Sequence, residues 1–230
     1  MCEIYPIPPY PPEDWASVPA PVECGEDLVE LSEIAPEIGY AAVYYRDGRP
    51  GALNRCFVRR TVAEMLKKAA ASLPDGYSLM VYDALRPLAV QRHLYEEIKG
   101  NLERENPHLS HEELMELVDQ YVAYPRTDPA RPAPHTTGGA VDLTLCYHGE
   151  PVDMGTGFDD PSERAWTRYL EEHDENPTAR DNRRLLYQVM KKVGFESYSC
   201  EWWHFSYGER MWAMFNNTTP KYGFHPNCKE

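Results

Sequence analysis

The order of helix and strand patterns along the chain limits its fold more than any other sequence feature. Apolar residues recur at helical or at strand spacing in separate segments. Predicted strands cover residues 40–45, 77–82, 140–145 and 195–207, and predicted helices cover 61–73, 88–98, 178–193 and segments beginning at Ser110 and Ser162. The two kinds of element do not alternate regularly enough for a doubly wound sheet. The pattern therefore predicts a single α+β domain with a small, mainly antiparallel sheet flanked by helices.

Local signals predict where several of these elements end. Ser110 and Glu113 have the spacing of a capping box at a helix start. Gly100 and Gly194 are predicted to end the helices that precede them. A turn over residues 46–50 is expected to close the strand at 40–45.

The N-terminal 22 residues carry seven prolines, which predicts an extended arm instead of a helix. A length of 230 residues suits one moderately large domain. We expect a proline-rich arm over residues 1–25 and a single folded domain over residues 26–230.

The net charge of −14 argues against nucleic acid and against an anionic membrane as partners. No apolar run approaches the roughly 20 residues of a membrane span, and no signal peptide is recognisable at the start. The six cysteines are scattered without metal-binding spacing, which favours reduced, individually buried thiols. These observations predict a cytoplasmic protein and leave its oligomeric state open.

The segment from His135 to Asp142 is a first candidate for metal ligands. Two glycines after the histidine permit a tight turn, and the chain then enters a predicted strand. On a strand, Asp142 faces away from its neighbours Val141 and Leu143. Taken alone, the segment is equally consistent with a loop histidine and a strand aspartate that make local hydrogen bonds.

Two further segments carry charged residues in apolar surroundings. Glu201 and His204 lie three residues apart around two tryptophans, where a raised carboxylate pKa would suit a general base. Arg86 follows a predicted buried strand and precedes a proline, so its guanidinium could stabilise an oxyanion. The alternatives are an aromatic core strand with an incidental histidine, and a surface pair of Arg86 with Asp83.

Together the three segments resemble a known family. The order Asp-x-x-Arg-Pro, His-x-x-Gly-x-x-x-Asp and Glu-x-x-His, found here at residues 83–87, 135–142 and 201–204, resembles the zinc D-alanyl-D-alanine dipeptidases of the VanX type. These are related to zinc D-Ala-D-Ala carboxypeptidases and share a fold with the hedgehog signalling domain. The resemblance extends over residues 40–207 and includes Met-Gly-Thr-Gly-Phe-Asp at 154–159.

The resemblance implies one zinc ion per chain with the ligands His135, Asp142 and His204. It also implies that Glu201 is the general base and that Arg86 stabilises the transition state. The implied reaction is the zinc-dependent hydrolysis of the dipeptide D-alanyl-D-alanine to D-alanine.

Two substrate contacts are implied in the same way. Asp159 matches an acidic residue that receives the free ammonium group of the substrate, and Tyr40 matches a tyrosine near the same end. The chain departs from the family at Ala133, where many members have a serine. That serine contacts substrate, so the difference bears on dipeptide affinity and not on metal binding.

Two other functions stay open on the sequence. One is a related zinc D,D- or L,D-carboxypeptidase or endopeptidase that acts on peptidoglycan peptides. The other is a non-catalytic zinc-binding module, since the hedgehog domain carries the same zinc constellation. Retention of Glu201 and Arg86 favours an enzyme, because a structural zinc needs neither.

Overall fold

The computed structural model describes residues 4–228, apart from the side chain of Gln120. The strands in this range are, in chain order, β1 (Leu28–Glu30), β2 (Gly39–Tyr40), β3 (Phe57–Arg59), β4 (Tyr77–Asp83), β5 (Ala140–Tyr147), β6 (Glu150–Pro151), β7 (Glu196–Ser197) and β8 (His204–Ser206). The α-helices are α1 (Leu31–Ile34), α2 (Val43–Arg46), α3 (Arg60–Ala71), α4 (Leu88–Glu105), α5 (His111–Tyr121), α6 (Tyr169–Glu172), α7 (Pro177–Lys192) and α8 (Arg210–Phe215).

A six-stranded sheet forms the centre of the molecule. Its strand order is β2-β4-β5-β8-β7, and β6 pairs with the end of β5. The β2–β4 pair is parallel and the remaining pairs are antiparallel. Strands β1 and β3 form a separate antiparallel pair. The predicted α+β class with a mainly antiparallel sheet is confirmed.

The main hydrophobic core lies between the sheet and the helices α3 and α7. Val141, Leu143 and Leu145 of β5 are fully buried in this core, together with Leu66 of α3 and Leu186 of α7. Burial of each such side chain stabilises the fold by roughly 1.5–3 kcal/mol. Because side chains alternate along a strand, this packing directs the residue between Val141 and Leu143 to the opposite face.

A second, smaller core lies where α4 packs against α5. It contains Val90 and Leu94 of α4 and Val118 of α5, together with Tyr44 of α2. This packing holds the ring of Tyr44 near the start of α4. Arg86 lies two residues before that helix begins.

Several predicted elements are confirmed. The helices at 61–73 and 178–193 correspond to α3 and α7, and Gly194 follows α7 with a φ of 105°. The capping box of Ser110 and Glu113 is present at the start of α5. The strands at 77–82 and 140–145 correspond to β4 and β5, and residues 195–207 contain the antiparallel pair β7 and β8.

Three local predictions are wrong. Residues 40–45 are not a strand, because pairing with β4 ends at Tyr40 and a left-handed Ala42 (φ 47°) leads into α2. Gly100 does not end its helix, because α4 continues to Glu105 as it packs on α5. Ser162 does not begin an α-helix; its hydroxyl donates to Asp160, and a 3-10 turn follows.

The N-terminal segment packs along the domain, although its one regular element is the 3-10 turn Trp15–Ser17 within residues 4–27. The backbone N–H of Ile7, a buried residue, donates to Glu171 at 3.0 Å. The hydroxyls of Tyr10 and Ser197 lie 2.5 Å apart. The predicted boundary between an arm at 1–25 and a domain at 26–230 stays a prediction.

The cysteines in the described part of the chain are free thiols, as expected. Cys56, Cys146 and Cys228 are buried, whereas Cys24 is exposed and Cys200 is half-buried, so the prediction of buried thiols holds for three of them. Cys2 lies outside the described residues. Among residues 4–228, no helix is both long and apolar enough to cross a membrane. The cytoplasmic location stays a prediction.

Candidate active site

The register of the sheet sets three polar side chains beside one another across its central strands. Asp83 of β4 pairs with Asp142 of β5, and Asp142 pairs with His204 of β8. A register shift after Val81 is what brings Asp83 opposite Asp142. All three polar residues are buried, on the face of β5 that points away from the main core.

His135 reaches this row from the 3-10 turn Pro134–Thr137. Gly138 follows with a φ of 72°, and a Cβ atom at Gly139 would lie only 2.5 Å from a backbone oxygen, so both positions suit glycine. Nδ1 of His135 lies 2.8 Å from the carbonyl oxygen of Ala84. We assign the ring proton to Nδ1, since the carbonyl can only accept, which leaves Nε2 free to bind a metal.

His135, Asp142 and His204 form a compact cluster whose potential ligand atoms all lie within 4.8 Å of one another. Nε2 of His135 is 3.2 Å from Oδ2 of Asp142, and Nδ1 of His204 is 3.0 Å from Oδ1. Burial alone would raise the pKa of Asp142, but the two histidines hold it well below its usual range. Two imidazole nitrogens and a carboxylate can hold a divalent metal and leave a position open.

Glu201 lies at the edge of this cluster, in the loop between β7 and β8. Its Oε2 is 3.8 Å from Nδ1 of His204, and its side chain is 26% exposed. Burial raises the pKa of Glu201 to about 7, and the neighbouring Asp142 adds to the effect, while His204 opposes it. A carboxylate with this pKa, next to a metal site and still in reach of solvent, can accept and return a proton near neutral pH.

Arg86 lies beside Asp142 with its guanidinium buried. Nε donates to Asp83 at 2.7 Å and Nη1 donates to Gln91 at 2.9 Å. Nη2 makes two longer contacts, with Asp142 at 3.3 Å and with the hydroxyl of Tyr44 at 3.4 Å. The pairing with Asp83 thus exists, but inside the protein and not on its surface. Nη2 is the nitrogen with the weakest existing bonds.

Asp159 lies on the far side of Tyr44 from Arg86. It accepts a hydrogen bond from the Tyr44 hydroxyl at 2.9 Å, and its backbone is left-handed with a φ of 60°. Desolvation of the carboxylate raises the pKa of Asp159 to about 7, against the opposing charge of Arg86. The residue as a whole remains exposed, so its carboxylate is a candidate contact for a positively charged ligand.

Tyr40 lies near Arg86, at the border of this group of side chains. Its hydroxyl donates to the carbonyl oxygen of Leu53 at 3.2 Å, and its ring borders a small cavity that Arg86 and Tyr44 also line. Tyr44, four residues later, is the tyrosine that contacts Asp159, and the sequence reasoning did not identify it. No local signal distinguishes it from an ordinary core tyrosine, since Tyr40 ends β2 and Tyr44 lies in the separate helix α2.

Comparison with known proteins identifies the family of the chain. Residues 26–223 match the family model Peptidase_M15, whose description is D-ala-D-ala dipeptidase. The chain is 32% identical over 219 residues to the D-alanyl-D-alanine dipeptidase of Synechocystis sp., covering 86% of this chain and 89% of that protein. It is 31% identical over 186 residues to the D-alanyl-D-alanine dipeptidase of Escherichia coli strain K12, covering 78% of this chain and 83% of that protein.

A solved structure described as VanYB in complex with D-Alanine-D-Alanine also resembles the fold. The match covers 90% of this chain and 95% of that chain, with a TM-score of 0.48 and 15% sequence identity. A likeness at this level carries no inference about function.

Proposed function

Because the chain belongs to the D-ala-D-ala dipeptidase family and is a metallopeptidase, we propose that it hydrolyses D-alanyl-D-alanine to D-alanine with one zinc ion. The observation that carries the proposal is the buried cluster of His135, Asp142 and His204, with Glu201 at its edge and Arg86 beside it. A structural metal site would require neither the half-buried glutamate nor the arginine.

The donor set fits zinc. In the proposal, His135 and His204 bind through neutral ring nitrogens and Asp142 through its carboxylate, which its low pKa keeps ionised. The positive charge of a bound zinc ion would also offset the energetic cost of burying the Asp142 carboxylate. When bound in such a site, zinc polarises a carbonyl oxygen and lowers the pKa of water toward neutrality.

Glu201 and Arg86 are proposed to act on the substrate. The Glu201 carboxylate takes a proton from the attacking water and later gives it to the leaving amine nitrogen. The guanidinium of Arg86 donates from Nη2 to the oxyanion that develops on the peptide carbonyl, because Nη2 has only long contacts to give up.

Asp159 is proposed to bind the free ammonium group of the substrate. Its exposed position suits the charged N-terminal end of a short peptide. Such a contact would restrict the enzyme to substrates with a free N-terminus, as a dipeptidase requires. Tyr40, whose ring borders a small cavity together with Tyr44, is proposed to lie near the same end of the substrate.

The direct test compares two substrates, each with zinc-loaded and with chelator-treated protein. We expect release of D-alanine from D-alanyl-D-alanine that stops on chelation and returns on addition of zinc. The N-acetylated dipeptide lacks the ammonium group and should be cleaved at least about a hundredfold more slowly, since its charge contact with Asp159 is lost. Comparable cleavage of the acetylated compound would instead support a carboxypeptidase or endopeptidase, and no cleavage of either would support a binding module.

A further inference from the structure

Tyr44 lies between the two charged groups that are proposed to contact the reacting carbonyl and the ammonium group. Its hydroxyl donates to Asp159 at 2.9 Å and accepts from Nη2 of Arg86 at 3.4 Å. A phenol has one hydrogen to donate and lone pairs to accept, so both contacts can exist at once. Tyr44 is therefore a neutral bridge between a cation and an anion.

The ring of Tyr44 is held from several sides and is only 5% exposed. The guanidinium carbon of Arg86 lies 5.1 Å from the ring centroid, and the ring of Phe158 is tilted against it at 5.8 Å. The second core adds Val90 and Leu94. The hydroxyl thus has a fixed position, and burial raises the pKa of Tyr44 far enough to keep it protonated.

The charges on either side of this hydroxyl attract each other. The positive charge of Arg86 partly offsets the rise that burial causes in the pKa of Asp159. Nε and Nη1 are held by short bonds to Asp83 and Gln91, which fix the plane of the guanidinium, so a direct pair would form by movement of the Asp159 carboxylate toward Nη2. A direct ion pair between Nη2 and Asp159 would withhold both groups from substrate.

We propose that Tyr44 is a specificity-determining residue whose hydroxyl keeps Arg86 and Asp159 apart, so that both remain available to a dipeptide with a free ammonium group. The inference rests on the proposed function. Tyr44 acts on the substrate through the spacing of two charges and does not itself take part in bond breaking, which makes it a positioning residue.

The test is a double-mutant cycle with Tyr44→Phe, Asp159→Asn and the double variant. Tyr44→Phe keeps the ring and removes only the hydroxyl, so Nη2 and Asp159 are free to pair. We expect kcat/KM for D-alanyl-D-alanine to fall roughly tenfold or more, as for a lost charge-assisted hydrogen bond. In the Asp159→Asn background, Tyr44→Phe should lower kcat/KM by less than about twofold, because asparagine carries no charge to pair with Arg86.

Two controls accompany the cycle. Tyr45→Phe removes the hydroxyl of the exposed neighbouring tyrosine and should leave kcat/KM unchanged. Zinc content and thermal unfolding of every variant should match the wild type. The Kd of D-alanyl-D-alanine, measured by calorimetry in a Glu201→Gln background, should follow the same pattern as kcat/KM.

The outcomes separate this inference from the proposed function. Wild-type turnover of the dipeptide decides the function, whereas the variant ratios decide the role of Tyr44. A purely structural role would give an equal loss in both Asp159 backgrounds, and that result would overturn the inference. The inference would also be overturned if Tyr44→Phe had a kcat/KM within twofold of wild type and a Kd within twofold of the Glu201→Gln protein.

Discussion

At the scale of single residues, Asp142 determines the character of the site. It is buried against two imidazoles and the Arg86 guanidinium, and the two imidazoles outweigh the effect of burial on its pKa. The sequence predicted its orientation, because a polar residue between two aliphatic ones on a strand must face away from them. That His135 and His204 lie near Asp142 was predicted from the order of the motifs along the chain, because no local pattern indicates it.

Tyr44 marks the limit of prediction at this scale. Its partner Asp159 lies 115 residues further along the chain, and its orientation depends on packing against α4. Neither fact has a signature in the local sequence. A tyrosine in an apolar run is equally consistent with a core residue, so its role could be found only from the folded arrangement.

A pH dependence follows from Asp159, whose carboxyl has its pKa raised to about 7. Only the ionised form attracts an ammonium group, so protonation below that pH should weaken binding. In a Glu201→Gln background, the Kd of D-alanyl-D-alanine should rise up to about tenfold per pH unit from pH 7 to pH 5. Calorimetry at several pH values measures this, and the ammonium group of the dipeptide stays protonated throughout the range.

The matched variant is Asp159→Asn in the same Glu201→Gln background. Its Kd should be higher at pH 7 and nearly independent of pH down to 5. A slope that persists without the Asp159 carboxyl would assign the titration to another group.

At the scale of elements, the start of α3 links the N-terminal segment to the loop that carries His135. Arg59, 1% exposed, donates from Nε to the carbonyl of Thr137 and from its backbone N–H to that of Gly138. Its remaining nitrogens donate to Glu23 at 2.8 and 3.0 Å. The loop that carries His135 is thus fixed by a guanidinium that Glu23 neutralises.

Glu23→Gln should therefore destabilise the protein. The change leaves the buried Arg59 charge without its counter-ion, but Glu23 is partly exposed and solvent can compensate in part. We expect a loss of about 1–2 kcal/mol in the free energy of unfolding, measured by urea denaturation at pH 7. The control Glu37→Gln, at an exposed position, should stay within about 0.5 kcal/mol of wild type.

Elements with complete local signals were predicted well. α3 and α7 have apolar residues at helical spacing, and α5 has its capping box. The strand prediction at 40–45 failed for a physical reason, since pairing with β4 lasts two residues and Ala42 then turns the chain. A left-handed alanine is costly and is held there by the surrounding packing, which composition cannot foresee.

At the scale of the whole molecule, the site needs nearly the entire fold. His135 comes from a loop fixed by α3, Asp142 and His204 from adjacent strands, and Asp159 from a loop packed near α2. An unfolded chain cannot present these ligands together, so metal binding is linked to folding. The ordered motifs singled out His135, Asp142 and His204, which the fold brings together, whereas the distances between them depend on the complete structure.

Removal of the proposed zinc should therefore lower thermal stability. Zinc present at about a thousandfold its Kd contributes about 4 kcal/mol, which corresponds to a fall in Tm of roughly 10 °C on chelation. Scanning calorimetry with and without chelator measures the change. In His135→Ala, which lacks one ligand, the Tm should respond little to chelator; an equal response would place the stabilising metal elsewhere.

The most direct test of the account measures zinc content and D-alanine release on the same preparations of wild type and Glu201→Gln. The account predicts about one zinc per chain in both proteins, and turnover of D-alanyl-D-alanine that is lower in the variant by a factor of about 10² to 10⁴. Full turnover in Glu201→Gln, or turnover by wild-type protein that contains no zinc, would contradict it.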